Sequence, residues 1–350
     1  MKEEILFEYR EKYNLYLEFS NVIINLLTQV LKSIPTQQIS GRVKEYNSLE
    51  EKIELKNKYQ RLDDITDIIG IRIITYLPNN VDKISEIIKK EFEIDKDNCI
   101  DKRIKKDDEF GYMSLHLVCK LDDKRLLLPE YRRFENVKFE VQIRSVLQHT
   151  WAEIEHDIGY KSKVEIPQEF RRRLYRLASL LESADDEFQT IVDKMEKYNK
   201  YVKENVHNKN MELDINKNTL IEYFKKSKEL YYILENVAKG CGKGYNKKVY
   251  LTLDYIKWLN YFKYSSIKDV DADIRELKEI IIKFAINYLK KFSQSRNSSL
   301  TIAVGIHYLI YLKLAQCNEE MQKGFVKAFF ANDIDRINKI KEAYLNTEDK

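Results

Sequence analysis

Lys138-Phe139-Glu140-Val141-Gln142-Ile143-Arg144 alternates polar and apolar residues along its whole length. Period-2 alternation marks a β-strand with one buried face, so Phe139, Val141 and Ile143 are read as core and Glu140, Gln142 and Arg144 as one polar face. Two stretches upstream also read as strands. Gly70-Ile71-Arg72-Ile73-Ile74-Thr75-Tyr76 is rich in β-branched residues, and in Ser114 to Lys120 the residues Leu115, Leu117 and Cys119 alternate with Ser114, His116 and Val118. Helices are expected between and around them. Residues 4–32 carry apolar side chains at helical spacing with no breaker before Pro35. Asn80 reads as an N-cap before Val81, Ile84, Ile87 and Ile88. Ser145 and Gln148 read as a capping box opening a helix that buries Leu147, Trp151, Ile154 and Ile158. A sheet with interleaved helices over residues 40–160, of α/β (α+β) class, is the simplest architecture.

Downstream, Pro167 stands where a helix can begin. Phe170, Leu174, Leu177, Leu181, Ala184, Phe188, Ile191 and Met195 then follow at alternating 4-3 spacing, a heptad seam. Packing on its own domain and packing on a partner helix both suit that pattern. Residues 206–218, rich in Asn and Lys, read as a linker. Residues 219–350 read as an all-helical domain, with helices over Leu220–Val237 and Ile274–Phe292 and a loop at Gly240-Cys241-Gly242-Lys243-Gly244.

Composition narrows the class. The chain has 350 residues, enough for two or three domains, and 43% are hydrophobic. That share, with 24 Tyr and 15 Phe, excludes a disordered chain. Only 9 Gly and 4 Pro imply long helices and disfavour an all-β fold. The net charge of +4 from 61 basic and 57 acidic residues permits contact with nucleotides without demanding it. Cys99, Cys119, Cys241 and Cys317 are scattered, which gives neither a disulfide framework nor a zinc ribbon and points to a reducing compartment. Met1-Lys2-Glu3-Glu4 does not open a basic-then-apolar signal pattern. Ala303 to Ala315, interrupted by His307 and Lys313, is too short to span a bilayer. Cytoplasmic residence with no membrane partner is the expectation.

The polar face of residues 138–144 holds a carboxylate, an amide and a guanidinium, a set that suits a metal–phosphate site and equally a solvated strand face. Asp67, close to the first strand that carries Arg72, offers a second carboxylate, and two carboxylates from neighbouring strands are the minimal kit for a divalent ion against a triphosphate. Asp63 and Asp64 lie close by. Lys44, Ser48 and Lys52, with Arg42 before them, stand four residues apart and would line one ridge of a helix, either to receive phosphates or as a solvated charge run. Neither G-x-x-x-x-G-K-[ST] nor G-x-G-x-x-G after a strand occurs, so phosphate binding here would rest on side-chain cations. His149, Glu153 and His156 share a helix face but lack the H-E-x-x-H spacing, which favours a substrate-facing or hydrogen-bonding role over zinc. Tyr112 follows Gly111 and alternates with Ser114 and His116, and an exposed Tyr there can stack on a nucleobase.

In order along the chain these pieces are Gly41-Arg42-Val43-Lys44 with Ser48 and Lys52, then Asp67-Ile68-Ile69-Gly70-Ile71-Arg72-Ile73, then Gly111-Tyr112-Met113-Ser114-Leu115-His116. Last comes Glu140-Val141-Gln142-Ile143-Arg144 running into Trp151-Ala152-Glu153-Ile154-Glu155-His156-Asp157-Ile158-Gly159-Tyr160-Lys161. The series resembles the synthetase domain of RelA/SpoT alarmone synthetases, most of all the small single-synthetase proteins. The resemblance implies an N-terminal helix over 1–34, a synthetase domain over 35–200 with a nucleotidyltransferase-like mixed sheet flanked by helices, and the helical domain 219–350 as an addition of unknown role. It implies Mg²⁺-dependent transfer of pyrophosphate from ATP to the 3′-hydroxyl of GDP or GTP, giving (p)ppGpp. On this carry-over Asp67 binds the metal, and Glu140 holds it too or takes the proton of the attacking hydroxyl. Arg42 lies against adenine, and Lys44, Ser48 and Lys52 hold the ATP phosphates. Tyr112 stacks on the acceptor base, with His116, Gln142 and Arg144 in support. Arg72, Lys102, Arg103 and Lys105 are further phosphate contacts.

Two positions depart from the family's pattern. Asp108 and Phe110 stand where many members carry Lys and Asn, which bears on the acceptor. The Phe110-Gly111-Tyr112 version also resembles toxic small synthetases, some of which pyrophosphorylate the 3′ end of tRNA while others make adenosine alarmones. That is the alternative reading, and under it the helical domain would engage RNA, a regulator or an antitoxin. The His156-Asp157 pair belongs to the synthetase motif, so alarmone hydrolysis is not expected.

Overall fold

The computed structural model describes residues 2–101, 103, 114–161, 167–249, 253–293 and 299–348. The chain divides into two compact units, Met1–Asp193 and Lys194–Lys350.

The first unit runs α1 (Lys2–Val30), β1 (Thr36–Val43), α2 (Tyr46–Lys56), β2 (Ile69–Thr75), α3 (Asn79–Glu91), β3 (Phe92–Ile94), β4 (Ile100–Asp101) and β5 (Leu115–Leu121). The single turns α4 (Asp123–Leu126) and α5 (Pro129–Arg132) lead into β6 (Phe139–Ser145) and α6 (Val146–Lys161), and α7 (Gln168–His207) follows. The sheet order is β1-β2-β6-β5-β3, with β4 also on β5. β2 and β6 are parallel and the other pairs antiparallel, so the sheet is mixed.

One sheet face is the core. Ile69, Ile71 and Ile73 of β2, Phe139, Val141 and Ile143 of β6, and Leu115, Leu117 and Cys119 of β5 pack with Tyr9, Phe19, Ile23 and Leu27 of α1 and Val81, Ile84 and Ile88 of α3. The intervening positions therefore point to the other face, as alternation requires. All three expected strands form within one residue of their expected bounds, β2 one residue earlier and β5 and β6 one residue later. β1, β3 and β4 were not among them, because their residues are mostly half-buried or exposed and show no apolar alternation.

Asn80 is not an N-cap. The helix starts earlier, because Pro78 is already helical (φ −56°) and its fixed φ seeds the first turn, with the Leu77 and Pro78 carbonyls accepting from the Asn80 and Val81 N–H groups. The capping box at α6 forms reciprocally: Ser145 N donates to Gln148 Oε1 (2.9 Å) and Gln148 N donates to Ser145 Oγ (3.1 Å). Ser145 Oγ in turn donates to the buried Asp185 of α7, whose pKa burial raises. α6 buries Trp151 and Ala152, but Ile154 and Ile158 are exposed, because the helix is covered on one side only. Of the heptad seam on α7, Leu174 is buried, whereas Phe170, Leu177, Phe188, Ile191 and Met195 are exposed.

The second unit holds α8 (Lys217–Lys226), α9 (Lys228–Cys241), α10 (Leu253–Tyr261), α11 (Ile267–Phe292), α12 (Val304–Gln316), α13 (Glu319–Phe329) and α14 (Ile334–Glu348). Two helices stand where one was expected over 220–237. Ser227 ends α8 and caps α9, its Oγ accepting from Leu230 N (3.3 Å). Gly240 and Cys241 belong to the last turn of α9, and Gly242 (φ 61°) closes it in the left-handed region. α12 is apolar all round because it is the core of this unit, with Ile306, Leu309, Ile310 and Leu312 fully buried. No helix of the described residues is long and apolar enough to cross a membrane.

Candidate active site

The site is built on the open face of the first unit's sheet. Strand register sets two rows across it. Arg42 of β1 stands opposite Gly70 of β2, which stands opposite Glu140 of β6, and Glu140 opposite Val118 of β5. In the second row Ser40, Arg72, Gln142 and His116 are aligned in the same way. Four strands thus bring residues from 40 to 142 into one polar patch.

Glu140 is its centre, only 13% exposed. Its Oε1 meets His116 Nδ1 at hydrogen-bonding range and accepts from Gln142 Nε2 at 3.1 Å. Gln142 Oε1 accepts from Arg144 Nη2 at 2.8 Å, so the four polar residues form a chain ending at a buried guanidinium. Burial works to raise the Glu140 pKa, but the hydrogen bond and charge of His116 and the Gln142 amide outweigh it, and the carboxyl sits below its ordinary value. Asp67 is near enough to act on Glu140 in the raising direction, as a neighbouring carboxylate should.

Asp67 occupies the turn before β2, a turn tied to the end of β1 by Lys44 N donating to Ile68 O (2.8 Å). Two ammoniums converge on it: Lys52 Nζ at 2.6 Å from Oδ1 and Lys44 Nζ at 3.2 Å from Oδ2. Burial alone would raise the Asp67 pKa, yet these two cations hold it below the usual carboxylate range. Lys44 is not on the ridge expected of it. It leaves β1 ahead of α2, while Ser48 and Lys52 are on α2, Ser48 exposed. The backbone changes from strand to helix around Glu45, so i, i+4 spacing does not apply to Lys44.

Between the β1–β2 ladder and α6 lies a cleft of about 170 Å³ lined by Ser40, Gly41, Arg42, Gly70, Arg72 and Glu153, among others. Arg72 Nη1 is paired with Glu153 Oε1 (3.1 Å), and His149 Nδ1 lies 3.7 Å from the same oxygen. Burial and the Arg72 charge lower the His149 pKa, which suits a hydrogen-bonding neutral imidazole over a cation. Ser40 and the two glycines are site residues that sequence reasoning did not single out. A Cβ on Gly41 would come 2.6 Å from Ser20 Oγ and 2.9 Å from the Cδ1 atoms of Ile24 and Ile71, so a side chain beside Arg42 would have to displace the ends of those three.

Arg103 is committed to Asp101, through Nε (2.9 Å) and Nη2 (2.8 Å), and to Asp82 through Nη1 (2.7 Å). Tyr112, Lys102 and Lys105 lie outside the described residues. Among the described residues no three His, Cys, Asp or Glu side chains gather as a metal site. The two carboxylates alone suit Mg²⁺, which is commonly held by one or two carboxylates with substrate phosphates completing its shell.

Residues 41–165 match the family model described as the region found in RelA/SpoT proteins. GTP pyrophosphokinase YjbM of Bacillus subtilis (strain 168) is 30% identical over 162 residues, 45% of this chain and 72% of that protein. GTP pyrophosphokinase YwaC of the same organism is 27% identical over 164 residues, 43% of this chain and 71% of that protein. Among solved structures, the small alarmone synthetase 1 from Bacillus subtilis aligns with 26% identity over 53% of this chain and 99% of its own, with a TM-score of 0.45.

Proposed function

This chain belongs to the RelA/SpoT family, and from that premise we propose that its first unit is a Mg²⁺-dependent ATP:nucleotide 3′-pyrophosphotransferase making (p)ppGpp from GDP or GTP. The relatives' activity, GTP pyrophosphokinase, supports an enzyme of this kind. The reading rests on two carboxyls held below their ordinary pKa, Asp67 and Glu140, near enough for one charge to act on the other, with Arg42 and Arg72 lining a cleft on the same sheet.

In this reading Asp67 and Glu140 hold the ion that accompanies ATP, whose contribution is to neutralise charge building on the transferred group. Lys44 and Lys52 keep Asp67 ionised and, with Ser48, face the triphosphate. Arg42 takes the adenine end in the cleft, and Arg72 meets a phosphate. Glu140 accepts the proton of the attacking 3′-hydroxyl as that oxygen bonds to the β-phosphorus and the bond to the α-phosphate breaks, releasing AMP. His116, Gln142 and Arg144 keep Glu140 oriented. Catalysis of this kind is mostly positioning and charge compensation, and a chain of part-buried hydrogen bonds along an inner strand provides the positioning. Four free thiols suit a reducing, cytoplasmic setting.

The test is transfer of label from γ-labelled ATP to GDP, GTP, AMP or bulk tRNA offered separately. Label on GDP or GTP, dependent on Mg²⁺, is the expected result. Label on tRNA alone or on AMP alone would replace the acceptor named here by that of the toxic small synthetases, and no transfer to any acceptor would overturn the reading.

A further inference from the structure

The two units carry opposite charge. Residues 194–350 hold 29 Lys and Arg against 20 Asp and Glu, a net +9, whereas residues 1–193 hold 32 against 37, a net −5. The whole-chain value of +4 conceals a strongly basic helical unit. Charge asymmetry of this size between parts of one chain is an electrostatic footprint of a polyanionic partner.

On α11 the excess is concentrated. Lys283, Asn287, Lys290 and Lys291 fall at i, i+4, i+7 and i+8, one face of the helix, and all three lysines are exposed. With Asn346 and Thr347 of α14 they line a groove of about 480 Å³. Asn287 Nδ2 donates to Asn346 O and Thr347 Oγ1, both at 3.2 Å, which fixes the floor. Lys291 is paired with Glu342, but Lys283 and Lys290 meet no acidic partner among the described residues. Lys243 reaches Ser293 Oγ (3.2 Å) just past the end of α11 and extends the cationic stripe. Cations in the last turn of a helix also favour its dipole, which accounts for Lys290 and Lys291. It does not account for Lys283, which stands more than two turns from the helix end.

We propose that this groove binds the sugar–phosphate backbone of a nucleic-acid strand. Ammoniums beside amide and hydroxyl groups in a concave surface match phosphate and sugar oxygens. A bilayer surface fits less well, because the lining holds a single apolar side chain, Ile286, itself half-buried. The inference goes beyond the transfer reaction and does not depend on it.

The experiment measures anisotropy of labelled RNA and DNA strands of the same sequence, about 20 nucleotides long, titrated with the full chain at several salt concentrations. Lys283→Glu/Lys290→Glu should weaken binding about tenfold or more and lower the slope of log Kd against log salt by about 1.4, about 0.7 for each lysine lost from a single strand. Lys323→Glu/Lys327→Glu on α13, with the same change in net charge and both positions exposed, should weaken it less than about twofold. Melting curves establish that both variants fold. A preference between the RNA and DNA arms tells which strand is taken. Equal weakening by both variants, displacement of the strand by inorganic phosphate at comparable concentration, or binding to anionic vesicles with none to either strand would overturn the proposal.

Discussion

Arg72 of β2 and Glu153 of α6 form an ion pair 3.1 Å long across the mouth of the cleft, the guanidinium coming from the sheet and the carboxylate from the helix above it. Both side chains are partly exposed, so the pair adds little to stability. Its consequence is orientation: the guanidinium is tethered at the cleft, where under the proposed function it would meet a nucleotide phosphate. Glu153→Gln should raise the KM for ATP about twofold to fivefold with kcat little changed, and Arg72→Ala should raise it more. Steady-state kinetics over a range of ATP concentrations checks both. An unchanged KM in both variants would remove Arg72 from the ATP site.

Glu140→Gln keeps the side chain's shape and removes its charge. Transfer should fall by about 10²–10³-fold or more, while the melting temperature stays close to that of the parent chain. Radiolabel transfer and circular dichroism are the measurements, and full activity in this variant would remove Glu140 from the chemistry.

The lowered pKa of Asp67 rests on two ammoniums working against burial. Removing one by Lys52→Met leaves burial less opposed, so the Asp67 carboxyl should titrate at higher pH than in the parent chain. Carboxyl carbon chemical shifts followed through an acid titration of metal-free protein report this directly. A shift to lower pH, or none, would mean that Lys52 does not control Asp67.

His307, a half-buried residue, packs its ring 4.3 Å from that of Tyr311, with Trp258 and Tyr255 close by. Burial first and the charge of Arg336 second depress its pKa to about 4. Above an ordinary value of about 6.5, folded and unfolded chains both hold a neutral imidazole and stability is flat. Between that value and about 4 the unfolded chain gains a proton that the fold refuses, so stability falls as pH falls, by roughly 3 kcal/mol in total. Urea unfolding of the chain at pH 7, 5.5 and 4.5, with His307→Phe as the control that should flatten this part of the profile, checks the sign.

Gly41→Ala places a methyl group against Ser20, Ile24 and Ile71. The α1–β1 packing must give way, at a cost of about 1–3 kcal/mol, and Arg42 next to it should be displaced from the cleft. A lower unfolding midpoint together with a raised KM for ATP is expected. An unchanged midpoint would mean that α1 is free to yield there.

How much of this was legible in the sequence follows from which faces are buried. β5 and β6 could be read because burial of one face is recorded in the chain as alternation, and β2 because its run of β-branched residues is nearly all buried. β1 could not: Thr36-Gln37-Gln38-Ile39-Ser40-Gly41-Arg42-Val43 buries Val43 alone, since it is an edge strand whose role is to carry Arg42 and deliver Lys44 to Asp67. The meeting of Lys44 and Lys52 is a tertiary fact that no single helical ridge describes. The His116–Glu140 contact was likewise out of reach, because it depends on β5 pairing with β6 in one register. In the helical unit, Ser227 looked like one polar residue within a long helix, and only the packing of Tyr223, Phe224, Leu230 and Ile233 into one core demands a turn there.

The three inner strands that carry polar side chains of the site, β2, β5 and β6, also send alternate residues into the apolar interior. Were β6 to pair with β2 one residue out of step, Phe139, Val141 and Ile143 would turn to water and Glu140, Gln142 and Arg144 inward, so the error would be punished as unfolding before it could persist as a sluggish catalyst. Quality control of the alignment between Gly70 and Glu140 is thereby delegated to hydrophobicity.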